Sequence, residues 1–384
     1  MYWKIEVKIE EVIDLGDVTM VKNKCRNSNI EILRIIAMLF IVVSHYCSHN
    51  GITAYSLPIG ANRFLLNILV LGNIGVILFI LISGYFLIDY DKFSLKKLLK
   101  LVLEVWFYSA IIYVICCLSG LTKLSIRELA LNFIPITSKR YWFATCYVVL
   151  YIFHPFINRF LKSLSKKEYQ LFLIISLILF SFIPTFLTST ANFYGNDLIQ
   201  FLLFYSIGAY IRKYDLDFLT KKKNVYLLMA SSVTLILSVI VINLLSMKIP
   251  SLGMYANQFY ERHSIVAIIF SVSLFKFFIF CKPFYNRFIN TISATMFGVY
   301  LIHDNNYIRY LLWHDIAHSG EYVLSNWLLL HVVLCVSLVF IVCIIIELTR
   351  KNLIEKPLFN KFDKTIDNIQ IKIAKKLKLE SNFI

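Results

Sequence analysis

An arginine and a histidine share one long apolar stretch near the start of the chain. Residues 29–49 read NIEILRIIAMLFIVVSHYCSH, with Arg34 near the beginning and His45 near the end. In a helix, this eleven-residue spacing places both side chains on nearly the same face, about 16 Å apart along the axis. Ionisable groups within a membrane-spanning helix are costly and often functional. The same pattern fits a structural role equally well. The arginine would then extend its charged group to the membrane surface, and the histidine would be hydrogen-bonded at the far interface.

Other polar residues lie in or beside apolar stretches. His303 is followed directly by Asp304, and this pair could shape a site or lie solvated at the outer interface. Ser83 could be a nucleophile or an oxyanion donor, but a Ser-Gly pair in a membrane helix more often permits close packing or a kink. Glu31 precedes Arg34 by three residues and could orient it or serve as a helix-start acid.

Metal binding has little support in the sequence. The eight cysteines show no zinc-ligand spacing and lie mostly within apolar runs, which is typical of small buried hydrophobic residues. His49 follows His45 by four residues and shares its face, but no carboxylate lies beside this pair in the sequence. We therefore predict that the protein uses no metal.

The composition is that of a membrane protein. Of the 384 residues, 59% are hydrophobic and 16% are charged, against roughly 25% charged in soluble domains. The apolar runs are continuous over about 20 residues, which indicates helices rather than the alternating strands of a barrel. The net charge of +16 comes from Lys and Arg clusters between these runs, as the positive-inside rule requires. No basic helix with interleaved aromatic residues occurs, so nucleic-acid binding is rejected.

These runs predict an all-α, polytopic membrane helix bundle with about ten transmembrane helices and cytoplasmic N- and C-termini. The predicted spans are 30–47, 64–88, 98–118, 141–160, 169–187, 198–211, 225–246, 263–280, 292–313 and 326–348. Four cations in one outer segment break the charge rule: Lys123, Arg127, Lys139 and Arg140. They could be functional, or they could pair with Glu128 and lipid phosphates.

The chain divides into three predicted parts. Residues 1–26 form a polar segment, residues 27–362 form the ten-span membrane domain, and residues 363–384 form a basic cytoplasmic tail. Met20 precedes a Lys-rich stretch and resembles a more natural start than Met1, so we expect residues 1–19 to be dispensable. An amphipathic helix on the inner leaflet would suit the tail.

Several short motifs occur in an order that resembles one family. They are Arg34 and His45 on the first span, Phe79 to Tyr85 ending in Ser-Gly-Tyr, Tyr141-Trp142-Phe143, Gly298 to His303, and Glu355-Lys356-Pro357. Together with the span number, they make residues 27–362 similar to the acyltransferase-3 family of membrane O-acyltransferases. The resemblance implies transfer of an acyl group, most often acetyl, from cytoplasmic acyl-CoA to a hydroxyl. The acceptor would be a cell-surface polysaccharide or its lipid-linked precursor.

The resemblance assigns the family's activity residues to Arg34 and His45. A guanidinium just inside the inner surface suits the phosphates of acetyl-CoA, while Lys96 and Lys97 could attract the donor or only set the topology. A desolvated, neutral imidazole is suited to take the proton from the acceptor hydroxyl. The accessory candidates are Glu31, Ser83, Tyr85, Trp142, His303 and Glu355.

A transporter or flippase of a lipid-linked glycan is the alternative from another functional class. Such proteins more often show repeated halves and broken helices, and the chain shows no internal repeat. A membrane sensor is disfavoured because no cytoplasmic output domain is evident. We expect a multi-pass protein of a bacterial cytoplasmic membrane that contacts membrane lipids and a glycan acceptor. The acceptor, the acyl chain, a covalent intermediate and the oligomeric state stay open.

Overall fold

A computed structural model describes residues 27–49, 51–52, 54–187, 197–216 and 219–376. Helix accounts for 79% of the structure, and no strand occurs in these ranges. The all-α prediction is therefore confirmed. Met20 and the rest of the predicted segment at 1–26 lie outside the described residues.

The described chain contains fifteen α-helices. In chain order they are α1 (Ser28–Ser48), α2 (Ala61–Ile68), α3 (Gly72–Leu87), α4 (Leu95–Leu118), α5 (Ile126–Phe133), α6 (Trp142–Ser163), α7 (Lys166–Leu177), α8 (Ile183–Phe186), α9 (Asp197–Tyr214), α10 (Lys221–Leu245), α11 (Ile265–Phe280), α12 (Arg287–Ser293), α13 (Met296–His303), α14 (Leu328–Arg350) and α15 (Lys356–Lys376). Single π-helical segments join α7 to α8 and α14 to α15. Helix α15 crosses residue 362, where the predicted membrane domain ends.

Eight helical stretches of the described chain are long and apolar enough to cross a membrane. The predicted sixth span corresponds to α9, which has 18 residues. The continuous ninth span predicted over 292–313 is wrong, because α12 and α13 are separate and α13 ends at His303. Asn305 explains that end: its side chain accepts a hydrogen bond from the Tyr307 N–H at 2.9 Å, and such local bonds compete with the helix. The number of spans stays a prediction.

Helix α3 lies between α1 and α9, and the α3–α9 contact depends on two glycines. A Cβ on Gly84 would lie 2.1 Å from the Tyr205 carbonyl oxygen, and one on Gly208 would lie 2.2 Å from the Leu81 carbonyl oxygen. The two backbones therefore approach more closely than any side chain allows. The sequence allowed either close packing or a kink at the Ser83-Gly84 pair, and Gly84 serves close packing.

Helix α1 is fixed at its first turn by polar contacts. The Asn27 side chain caps the helix by accepting from the Asn29 N–H at 3.1 Å. Ser28 donates to the Asn290 side chain on α12 at 2.9 Å, and Asn29 donates to the Lys282 carbonyl at 2.9 Å. These bonds join α1 to the connection between α11 and α12, so the position of every side chain on its apolar face is set.

The segment around α5 forms a polar network with the chain that follows α13. Glu128 accepts from Arg140 at 2.5 Å and from the Tyr307 hydroxyl at 2.7 Å, and Asn132 donates to that hydroxyl at 3.1 Å. The bonds from Tyr307 and Arg140 lower the pKa of Glu128 below its ordinary value of 4.5. The sequence left open whether the four cations of this segment are functional or pair with Glu128 and lipid phosphates. Arg140 pairs with Glu128.

Candidate active site

One cavity of about 770 Å³ runs along α1. Its lining includes Arg34, Met38, Ile41 and His45, which follow one another at intervals of three or four residues. The prediction that Arg34 and His45 share one face is therefore confirmed. We call the two ends of the cavity the Arg34 end and the His45 end; between them α1 contributes Met38 and Ile41, and then Ser44 beside His45.

At the His45 end, two imidazoles form a hydrogen-bonded chain. His45 Nδ1 lies 2.9 Å from His303 Nε2, and His303 Nδ1 lies 2.6 Å from the Val299 carbonyl oxygen. A carbonyl only accepts, so His303 carries its proton on Nδ1 and its Nε2 accepts. His45 must then donate from Nδ1, which leaves its Nε2 with a free lone pair. The arrangement holds His45 in the tautomer that a general base needs.

Asp304 adds a carboxylate beside this chain. Its Oδ1 atom lies 3.7 Å from His45 Nδ1, 3.6 Å from His49 Nε2 and 3.7 Å from an Arg309 terminal nitrogen. The side chain is 8% exposed, and Oδ1 accepts no hydrogen bond in the described chain. A buried carboxylate so placed stabilises positive charge on His45.

The same carboxylate changes the basis of the metal prediction. His45, His49 and Asp304 each offer one ligand atom, and these atoms lie within 4.8 Å of one another. No carboxylate lies near the two histidines in the sequence. The fold, however, brings Asp304 to them from the end of a distant helix. The predicted absence of a metal stays a prediction.

At the Arg34 end, the lining is basic. Arg34 donates to Glu31 at 2.5 Å, and Glu31 also accepts from Ser293 on α12. Lys97, Lys100 and Lys351 line this end as well. Lys96 is not among the lining residues, and it pairs with Asp363 of α15. Glu31 therefore orients the guanidinium, as one of its two sequence interpretations suggested.

A buried ion network borders the Arg34 end and joins α4, α14 and the π-helical segment that follows α14. Arg350 donates to Glu347 at 2.7 and 2.8 Å and to Glu355 at 2.7 Å, and lies 3.6 Å from Glu104. Tyr108 donates to Glu347 at 2.6 Å. Glu104 and Glu355 line the cavity. Glu355 thus lies where the sequence motif suggested a site, and its main partner is Arg350.

The model of the acyltransferase-3 family, described as an acyltransferase domain, matches residues 27–348. The chain belongs to this family. The match covers most of the protein and both ends of the cavity, whereas Glu355 lies beyond it. No curated protein and no solved structure shows significant similarity to the chain. Its apolar helices make this acyltransferase-3 protein a membrane acyltransferase.

The remaining predicted residues of the acyltransferase lie in two different places. Ser83 and Trp142 line the cavity. The Ser83 hydroxyl donates to the Phe79 carbonyl at 2.8 Å and lies 3.3 Å from the Tyr147 hydroxyl. Tyr85 is not among the lining residues, and its hydroxyl accepts from Arg212 at 3.3 Å. His303 is fully buried behind His45.

Sequence reasoning missed several residues at the His45 end of the acyltransferase. Asp304 was noted beside His303, but not as a partner of His45. Glu261 and Arg309 line the cavity, and each lies in a connection between helices, where no motif marks it. The available signal was the charge itself, since an acidic residue in an apolar chain needs a partner or a ligand.

Proposed function

We propose that this membrane acyltransferase moves an acetyl group from acetyl-CoA to a sugar hydroxyl. The observation that carries the proposal is the single cavity that joins the basic Arg34 end to the His45 end. An anionic donor fits the first end, and a general base stands at the second. Because both residues line one cavity along one helix, the acyl arm can extend from one to the other past Met38 and Ile41.

The donor's phosphates are assigned to the Arg34 end. Apart from the bond to Glu31, the guanidinium of Arg34 makes no hydrogen bond within the described chain, so its other N–H groups are free to bind phosphate. Lys97 and Lys100 line the cavity beside it and add positive charge. Lys96 pairs with Asp363. Lys96 would therefore contact the donor only after a phosphate of the donor replaces Asp363 as its partner.

The chemical step is assigned to His45. The acceptor oxygen attacks the thioester carbon while His45 Nε2 takes the hydroxyl proton. Asp304, 3.7 Å from His45 Nδ1, stabilises the imidazolium that results. The tetrahedral intermediate then breaks the C–S bond, and the leaving CoA thiolate takes the proton from the His45 imidazolium, which restores the neutral base.

Direct transfer to the acceptor is favoured over a covalent intermediate. Ser83 belongs to the family motif and lines the cavity, but its hydroxyl donates to a backbone carbonyl. Its other contact is the Tyr147 hydroxyl rather than an imidazole or a carboxylate. A serine without a base is a weak nucleophile, so the acyl group passes to the sugar in one displacement.

The Lys and Arg distribution supports the direction of transfer. It assigns the Arg34 end to the cytoplasm, where acyl-CoA is made, and the His45 end to the outer surface. A hydroxyl of a bacterial surface polysaccharide or of its lipid-linked precursor would meet the acyl group there. The protein then belongs in the cytoplasmic membrane.

Acetyl transfer by the purified protein in detergent tests this function. We expect His45→Ala to lower the rate of acetyl-CoA-dependent transfer by about 10²- to 10⁴-fold, the usual contribution of a general base. His314→Ala is the matched control, because that imidazole is 45% exposed and contacts Asp315 outside the cavity. Equal rates for the two variants at equal protein level would overturn the assignment.

A further inference from the structure

Glu261 and Asn73 face the His45 end of the cavity but take no part in the transfer step described above. Both line the cavity. The Asn73 amide donates to Glu261 Oε2 at 3.1 Å, which fixes the plane of the carboxylate. The other oxygen, Oε1, has no hydrogen-bond partner in the described part of the chain. The pair therefore presents one oriented, unused acceptor atom.

This pair is held close to the base by the packing of α3 on α1. A Cβ on Gly72 would lie 2.9 Å from the Ser44 Cβ and Oγ atoms, so the two helices touch at these residues. Asn73 follows Gly72, and His45 follows Ser44. Asn73 and His45 are thus each one residue away from the contact between Gly72 and the Ser44 side chain.

An aromatic surface completes the site. The Trp142 ring lines the cavity, and the Arg262 guanidinium lies 4.4 Å from its centroid. Arg262 also pairs with Asp197 at 2.8 Å, so the cation next to Glu261 in the sequence is engaged elsewhere. Arg262 fixes the indole without occupying the carboxylate.

We propose that Glu261, oriented by Asn73, binds a second hydroxyl of the acceptor, adjacent to the hydroxyl that is acylated. An ionised carboxylate only accepts hydrogen bonds, and a bond from a hydroxyl to a carboxylate is stronger than one between neutral groups. Trp142 offers an apolar surface to the ring that carries the two hydroxyls. The site thus selects a ring with neighbouring hydroxyls over a simple alcohol. The proposal rests on the function proposed above.

Kinetics with two nucleophiles test the role of Glu261. The probes are octyl β-D-glucopyranoside, which has neighbouring hydroxyls on a ring, and hydroxylamine, which has no second hydroxyl. In Glu261→Gln, the amide oxygen takes the bond from Asn73, and the NH₂ group then faces the cavity. We expect the KM for the glucoside to rise about tenfold and hydroxylamine-dependent CoA release to stay within twofold. Glu321→Gln is the matched control, because that side chain is 75% exposed.

Each outcome of this experiment decides between the two proposals. An unchanged KM in Glu261→Gln overturns the acceptor role, as does an equal loss with both nucleophiles. Equal use of octyl glucoside and 1-octanol by the wild type overturns it too, and so does no use of the glucoside while hydroxylamine is acylated. If acylation of the glucoside does not depend on His45, or if the wild type releases CoA with neither nucleophile, the proposed function fails instead.

Discussion

Replacing His303 by phenylalanine should slow acyl transfer while leaving the general base in place. The fully buried His303 ring accepts from His45 Nδ1 at 2.9 Å and so keeps the lone pair of His45 on Nε2. One such hydrogen bond contributes about 0.5–1.5 kcal/mol, which corresponds to about a two- to tenfold loss in kcat. That loss is well below the 10²- to 10⁴-fold expected when the base itself is removed.

The assay follows CoA release and acyl-glycoside formation by purified protein over a range of acetyl-CoA concentrations. The KM for acetyl-CoA should not change in His303→Phe, because the phosphate site proposed for the donor lies at the other end of the cavity. His303→Gln should recover most of the rate, since the glutamine side-chain oxygen can accept the same proton from His45. A variant that only disturbed packing would not recover in this way.

Two results would refute this reasoning. A kcat within twofold of the wild type in His303→Phe would show that the hydrogen bond does not set the tautomer of His45. A loss as large as that of His45→Ala would show that His303 itself takes the proton. Melting temperatures measured in the same detergent separate both results from a loss of folded protein.

Three further predictions concern the proposed donor site at Arg34, the packing of α3 on α9 and the hydrogen bonds of Glu128. Arg34→Lys should raise the KM for acetyl-CoA about tenfold, because an ammonium lacks the planar fork that binds phosphate; steady-state rates measure this. Gly84→Ala should lower the melting temperature, since overpacking costs about 1–3 kcal/mol and its Cβ would collide with a carbonyl of α9. Glu128 has a lowered pKa, so its ionised form stabilises the fold above pH 4.5, and this contribution is lost as the pH falls through the lower folded value. The difference in melting temperature between the wild type and Glu128→Gln should therefore shrink on acidification below pH 4.5.

Each of these predictions has its own control. S-acetylpantetheine lacks the nucleotide phosphates, so an equal rise in its KM in Arg34→Lys would contradict phosphate binding. Gly60→Ala should be neutral, because a Cβ there meets nothing within 4 Å; equal destabilisation at residues 60 and 84 would refute the packing explanation. A difference in melting temperature that stays constant with pH would show that Glu128 stabilises the fold without its charge.

Much of the fold was predictable from the sequence because the membrane restricts the possible structures. Continuous apolar runs allow only helices, and the spacing of Arg34 and His45 places them on one face whatever their partners are. The division between α12 and α13 was not predictable in this way. The side-chain bond of Thr295 accompanies this division, and that of Asn305 accompanies the end of α13; hydropathy registers neither bond.

The partners of His45 were also beyond the reach of the sequence. His303 and Asp304 lie 258 and 259 positions further along the chain, and no local pattern connects them to α1. Only the packing of α13 against α1 brings them together. Ser83 differs from His45, because its motif consists of neighbouring residues and is visible in the sequence. Only the contacts of its hydroxyl in the fold show whether it is a nucleophile.

The apolar middle of the cavity also decides whether the membrane stays sealed. A cavity with polar groups at both ends becomes a leak for protons and ions once a continuous column of water fills it. Met38 and Ile41 line the part between the two ends, and hydrophobic constrictions stop conduction by expelling water. We therefore expect Met38 and Ile41, which do no chemistry, to help keep an idle acyltransferase from conducting. We expect liposomes containing the Ile41→Ser variant to lose a proton gradient faster than liposomes containing the wild type.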